Sequence, residues 1–208
     1  MNYGVKFWDR IAKFYSKRPV ADENRYQKKL EATQRYFHKD MKVFEFGCGT
    51  GSTAIIHAPF VKSYLATDLS KNMLNIARQK PECKDLTNLR FEQMAIEEYP
   101  DDTEQFDAIL GLSILHLLNN PNDALKKAHH MLSPGGLLIT STTCIKGSMP
   151  LFRWIAPIGG ALGLIPRIQF FAHDEVEQRI NNAGFRTKFK LPIANNTQAC
   201  FLISEKLD

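Results

Sequence analysis

The chain has 208 residues, 44% apolar and 24% charged, an ordinary globular balance with room for one three-layer core and too little for two. Its 27 Lys and Arg exceed its 22 Asp and Glu, and the surplus lies wholly in residues 1–40, which carry ten basic against five acidic side chains. No basic, apolar leader with a small-residue cleavage site opens the sequence, which points to a cytoplasmic rather than a secreted protein.

Two amphipathic segments, residues 7–15 and 22–37, come first and read as helices from the spacing of their apolar positions. Their basic character suits an acidic substrate, nucleic acid or anionic lipid, or a solvated face with interleaved acids. A short apolar strand over 42–46 follows and runs into Gly47-Cys48-Gly49-Thr50-Gly51-Ser52. Glycines at alternate positions let the backbone approach a ligand, because they lack Cβ and tolerate positive φ. The run predicts a nucleotide-like cofactor at the carboxyl end of a first strand.

The spacing narrows the cofactor. A dinucleotide fingerprint needs G-x-G-x-x-G, and here the third glycine arrives one residue early, at Gly51. A phosphate-binding P-loop would need Lys-Ser or Lys-Thr after the glycines, and neither is present. Glu45 at the strand end is badly placed for a pyrophosphate and well placed for an ammonium or sulfonium. The next strand, 62–67, ends in Asp68, at the distance from the glycine turn where doubly wound folds place an acceptor for ribose hydroxyls. On sequence alone, Asp68→Ala is expected to abolish most cofactor affinity and leave the fold intact.

Helical patterns at 71–80 and 121–131 alternate with strands at 88–92, 106–111 and 136–142. Such alternation implies parallel strands with right-handed crossovers. A last helix, 174–182, starts on acids that suit its dipole and stops near Gly184, and strands at 185–190 and 199–204 close the chain. The fold expected is α/β, a Rossmann-like three-layer sandwich. It has a mostly parallel seven-stranded sheet, a C-terminal antiparallel hairpin and an N-terminal helical cap over 1–40, all within one domain spanning 1–208.

In this order, Glu45-Phe46-Gly47-Cys48-Gly49-Thr50-Gly51, Ala66-Thr67-Asp68-Leu69-Ser70, Phe106-Asp107-Ala108-Ile109-Leu110 and Leu132-Ser133-Pro134-Gly135-Gly136-Leu137-Leu138-Ile139 resemble four motifs of the class I S-adenosylmethionine-dependent methyltransferases. The likeness is broadest to the small-molecule enzymes that include those of quinone biosynthesis. It implies S-adenosyl-L-methionine as cofactor, held by Glu45, Gly47, Cys48, Gly49, Thr50, Asp68, Leu69, Met73, Ala95, Ile96 and Leu112. One motif departs: the acid that contacts the adenine amino group in many members is replaced by Met94. Adenine contact then falls to the backbone around Ala95 and Ile96, to apolar side chains, or to Gln93. The antiparallel pairing of the last two strands is also an implication of the resemblance.

Catalysis of methyl transfer chiefly needs an acceptor atom held in line with the methyl carbon and water excluded. His116, just past the fourth strand, is placed as a base or acceptor-binding group, or as a satisfied helix-end histidine. Tyr15, with Trp8 and Tyr26 as substitutes, is a candidate to fold over the cofactor. His129 and His130 are expected at the surface near a helix C-terminus.

Residues 147–171 contain no acid, two arginines and many large apolar side chains, while Pro150, Pro157 and Pro166 exclude a spanning helix. In similar enzymes this region caps the substrate pocket, so an apolar or amphipathic acceptor, a peripheral membrane contact or core packing is implied. Asn- or Asp-Pro-Pro-aromatic is missing after the fourth strand, and no cysteine lies between Cys83 and Cys144, which argues against base methylation at exocyclic amines or at cytosine C5. Cys48, Cys83, Cys144 and Cys200 are scattered without ligand spacing, so reduced thiols and no metal are expected. A noncatalytic cofactor-binding protein, an RNA methyltransferase using the basic helices, and a nicotinamide-dependent reductase remain the alternatives.

Overall fold

A computed structural model of the chain describes residues 3–101, 105–144, 168–192 and 199–207. Two helices, α1 (Tyr3–Tyr15) and α2 (Glu23–Gln34), precede β1 (Lys42–Phe46) and the short α3 (Ser52–His57). Then follow β2 (Ser63–Asp68), α4 (Lys71–Arg78), β3 (Leu89–Gln93), β4 (Phe106–Leu112), α5 (Pro121–Met131) and β5 (Leu132–Thr143). The helix His173–Asn182, here α6, leads into β6 (Phe185–Lys190) and β7 (Ala199–Lys206). The seven strands form one sheet in the order β3-β2-β1-β4-β5-β7-β6. Pairs from β3 to β5 are parallel, whereas β7 runs antiparallel to both β5 and β6. This is the Rossmann-like arrangement expected.

Alternation along β1 builds the layers. Val43 faces one buried cluster with Ala32, Ala54 and Phe201, while Phe44 and Phe46 face the other with Leu125, Leu138 and Ile180. The sheet is therefore apolar on both sides, as a parallel sheet between helical layers requires. Strand order reverses between β1 and β4, and at such a switch point the loops leaving the carboxyl ends part and open a crevice.

Several boundaries differ from the sequence expectation, each for a local reason. Asp22 is not the first residue of α2 but its cap, accepting from the Arg25 amide at 2.9 Å. The helix ends at Gln34, because the Tyr36 and Phe37 amides donate to Thr33 and Gln34 three residues back, tightening the last turn. α4 stops at Arg78, before Pro81. β5 begins at Leu132 rather than 136: Phe106 pairs with Leu132 and Ala108 with Leu137, so Ser133 to Gly136 bulge out. Cys144 and Cys200, remote in sequence, come together across the antiparallel β5–β7 pair as free thiols, donating to the Thr142 and His173 carbonyls respectively.

His129 is also not a simple surface residue. It packs edge-on against Phe185 at 5.2 Å, while His130 stays exposed beside Asp101. The chain turns from α6 into β6 through Gly184 at φ +91°, where an added Cβ would stand 2.6 Å from the His129 ring. Gly184→Ala is expected to cost about 2 to 3 kcal/mol, from left-handed strain plus displacement of the ring. Adding His129→Ala should leave mainly the strain, so urea titrations of the single and double variants should show non-additive losses.

Candidate active site

At the switch point a cleft of about 2020 Å³ opens, well beyond the several hundred Å³ of a pocket for one small ligand. Its floor is the loop after β1, with Glu45, Gly47, Cys48, Gly49 and Thr50, joined by Asp68, Leu69 and Met73 from β2 and α4. Met94, Ala95 and Ile96 follow β3, and Leu112 and Ser113 follow β4. Every cofactor residue expected from sequence lines this one cleft.

The loop is held by backbone bonds: the Cys48 amide donates to the Thr67 carbonyl at 2.9 Å and the Gly51 amide to the Cys48 carbonyl at 3.0 Å. Gly49 and Gly51 both have positive φ, for different ends. An added Cβ on Gly49 would meet nothing within 4 Å, leaving that backbone open to a ligand, whereas on Gly51 it would come within 2.7 Å of Phe91 and 2.9 Å of Ala77. Gly51 therefore lets the turn pack against β3 and α4.

Two carboxylates stand at the adjacent tips of β1 and β2. Glu45 is 2% exposed and accepts a hydrogen bond from the Tyr64 hydroxyl at 2.8 Å. Burial pushes its carboxyl up to about 7, against the Tyr64 bond and with help from the Asp68 charge. Asp68 accepts from the Gly49 amide through one oxygen and from the Ser70 amide through the other, both at 2.8 Å. Burial raises its pKa while those two amides pull it down. Neither acid has a salt bridge among the described residues. A ligand bearing positive charge and hydroxyl donors fits this pair, since each Asp68 oxygen keeps a further lone pair.

The N-terminal helices roof the cleft. Asp9 of α1 accepts from the Ser70 hydroxyl at 2.6 Å and the Asn72 amide at 3.0 Å, and the Asn72 side chain donates back to the Asp9 carbonyl at 3.0 Å. This latch sets α1 across the start of α4. It brings Tyr15 over Asp68, with burial and then the Asp68 charge raising the phenol's pKa, and stacks Tyr15 edge-on against Trp8 at 5.7 Å. Tyr26 lines the same cleft and hydrogen-bonds Thr53 at 3.1 Å.

His116 departs from its expected place. It sits in a short 3-10 turn, Leu115–Leu117, and its ring is not among the cleft-lining groups. Burial holds the imidazole down to about 4, and its Nδ1 has no partner among the described residues. Gln93 is likewise occupied elsewhere, donating to the Leu69 carbonyl at 2.9 Å, which leaves Met94 to face the cleft. Of the apolar run 147–171, residues 147–167 lie outside the described residues. At its described end Phe171 is in the core, 3% exposed, with Arg179 stacked 5.3 Å from its ring.

Among the lining residues that the sequence did not single out are Arg25, Lys29, Ser113 and Ser141. Ser113 adopts φ 58°, rare for a residue with a side chain, and donates its amide to the Ser141 carbonyl at 2.6 Å. Arg25 and Lys29 are four apart and share a face of α2. That spacing was legible, but not which face meets the sheet.

The family described as Methyltransferase domain matches residues 43–136. Among curated proteins, the malonyl-(acyl-carrier protein) O-methyltransferase of Paenibacillus sp. (strain JDR-2) is 28% identical over 168 residues, 76% of this chain and 60% of that protein. The ubiquinone biosynthesis O-methyltransferase of Acinetobacter baylyi is 26% identical over 192 residues, 88% of this chain and 78% of that protein. The chain thus spans less than two thirds of the first relative and more than three quarters of the second. Among solved structures, the N-methyltransferase NodS from Bradyrhizobium japonicum WM9 in complex with S-adenosyl-L-homocysteine covers 100% of both chains, with a TM-score of 0.75 and 14% identity. With its four motifs in order and an acid pair suited to a cationic, ribose-bearing ligand, this chain carries a methyltransferase domain over residues 43–136 and is similar to the class I S-adenosylmethionine-dependent methyltransferases, a likeness that indicates S-adenosylmethionine as its cofactor.

Proposed function

We propose that the protein transfers the methyl group of S-adenosylmethionine to a small apolar or amphipathic acceptor bound at the β5–β7 end of the cleft. The observation that carries this is the continuity of one large cleft from Asp68 and Glu45 to Ser141, Thr143 and Phe201, with space for two ligands side by side. The relatives named for ubiquinone biosynthesis and for malonyl-(acyl-carrier protein) support a small acceptor.

Asp68 would accept from the ribose hydroxyls, and Glu45 would face the donor's ammonium. Met73, Leu69, Met94 and Ile96 offer apolar surface to the adenine, with Ala95 supplying backbone. Bound S-adenosylmethionine supplies a methyl group on a sulfonium, which leaves as a neutral thioether. Tyr15 and Trp8 close the roof and exclude water, so that positioning and desolvation supply most of the rate. His116, outside the cleft, has no direct part in this scheme. Among the described residues no helix is long and apolar enough to cross a membrane.

Titration calorimetry with S-adenosyl-L-homocysteine, followed by release of that product from S-adenosylmethionine across apolar phenols, acids and amines, tests the proposal. Binding plus turnover of a small acceptor is expected; failure to bind either form of the cofactor refutes it, and binding with no turnover across the panel favours the noncatalytic alternative.

Three variants probe the site. Gly49→Ala should cost roughly 1 kcal/mol of stability, a few degrees of melting temperature, yet lower homocysteine-product affinity by about 100-fold, whereas Gly51→Ala should destabilise by about 3 kcal/mol through packing. Asp68→Ala should lose about 100-fold in affinity and also about 2 kcal/mol of stability, because the Gly49 and Ser70 amides lose their acceptor. The sequence expectation of an unaffected fold is corrected on that ground. Glu45 is half protonated near pH 7 in the free protein, so cofactor affinity should rise as pH climbs from about 6 to about 8, with proton release on binding. In Glu45→Gln the profile should flatten, read by calorimetry in buffers of different ionisation enthalpy.

A further inference from the structure

We propose that the methyl acceptor carries a carboxylate, and that Arg25 and Lys29 of α2 form the anion-binding pole that receives it at the β5–β7 end of the cleft. This rests on the methyltransferase function proposed above and adds the chemical class of its acceptor.

Lys29 donates from Nζ to the Ser141 hydroxyl at 2.8 Å, its one described hydrogen bond, leaving two ammonium protons for a ligand. Arg25 is 9% exposed and spans to the C-terminal strands, giving Nη1 to the Pro192 carbonyl and Nη2 to the Ala199 carbonyl, each at 3.0 Å. Its Nε is buried with no partner among the described residues. Both side chains line the cleft. Among the described residues neither cation has a carboxylate within salt-bridge distance. Asp22, whose charge reaches Lys29, is occupied in capping the helix, and Glu23 accepts from the Gln27 side chain.

Two charges one helical turn apart, held among hydroxyls and carbonyls alone, leave a desolvation cost that an incoming anion would relieve. Burial, and then the Arg25 charge, lower the Lys29 pKa to about 8 against the opposing charge of Asp22, as expected of a cation with no carboxylate in direct contact. Their place in the sheet assigns the ligand. Asp68 ends β2, whereas Ser141 lies on β5, three strands away and so roughly 14 Å along the sheet, and Ala199 begins β7, one strand further. The acids thus mark the donor's end and the cations the acceptor's, with the tip of β4 between them.

The donor's own carboxylate is the competing occupant, and the test separates the two. Protein saturated with S-adenosyl-L-homocysteine is titrated with octanoate and with octanamide, matched in length and apolar surface, by heteronuclear NMR. Octanoate should bind at least about ten-fold more tightly, as expected for charge-assisted hydrogen bonds. Lys29→Met should bring acid and amide to within about two-fold while homocysteine-product affinity stays within about two-fold, and Lys29→Arg should retain the preference. Equal binding of acid and amide by the wild type, no binding of octanoate at millimolar concentration, or loss of homocysteine-product affinity in Lys29→Met would overturn the inference, the last by giving the cation to the donor. Failure of the wild type to bind the homocysteine product would instead bring down the methyltransferase function on which the inference rests.

Discussion

The carboxylate of Asp68 is the joint on which the site depends. One oxygen accepts from Gly49 in the loop after β1, the other from Ser70 at the start of α4, and the Ser70 hydroxyl passes on to Asp9 of α1. A single buried acid therefore fixes the glycine turn, the first turn of α4 and, through one hydroxyl, the helix that roofs the cleft. These bonds pull its pKa down against burial, the larger effect, which leaves it raised. The same charge that organises the protein remains available to hydroxyl donors of a ligand, because two amides occupy only part of its accepting capacity.

The second constraint is electrical. Glu45 and Asp68 sit at neighbouring strand tips with no cation in salt-bridge contact, and Arg25 and Lys29 stand beyond β4 with no anion in salt-bridge contact, in both cases among the described residues. Neutralising each pair internally would be the simpler way to stabilise the fold. Both pairs instead stand at opposite ends of one cleft, and on the inference drawn above their field would sort ligands by charge. The basic surplus of residues 1–40, ambiguous in sequence between a solvated face and a binding surface, resolves in part into Arg25 and Lys29, which line the cleft, and residues such as Lys13 and Lys17, which are exposed outside it.

Positioning of the tips depends on layers that carry no chemistry. Apolar residues alternate on the two sides of β1, and Phe44 and Val43 anchor opposite cores, so the strand cannot slip by a residue without burying Lys42. Register then dictates that Glu45 points to the same side as Val43, toward Tyr64, where its only described side-chain partner is a hydroxyl. The β5–β7 pairing places Ser141 opposite Phe201 and thereby builds that end of the cleft from strands far apart in the chain.

Strand-helix alternation, the glycine turn and both acids were legible in the sequence, because they depend on local periodicity and on backbone conformations that only certain residues adopt. Adjacency of parallel strands then followed from right-handed crossovers, and with it the whole cofactor floor from Glu45 to Leu112. What local pattern could not supply was direction across elements. His116 follows β4 as expected, but it lies in a 3-10 turn and is not among the residues lining the cleft, which no periodicity reports. Lys29 and Arg25 looked like any charged pair on an amphipathic helix until α2 was laid against Ser141 and Ala199, and Asp68 looked like a ligand alone until two amides converged on it. The chain's local chemistry determined which ligand the floor would hold; only long-range packing, which decides what each side chain faces once strands distant in sequence become neighbours, gave the cleft its second pole.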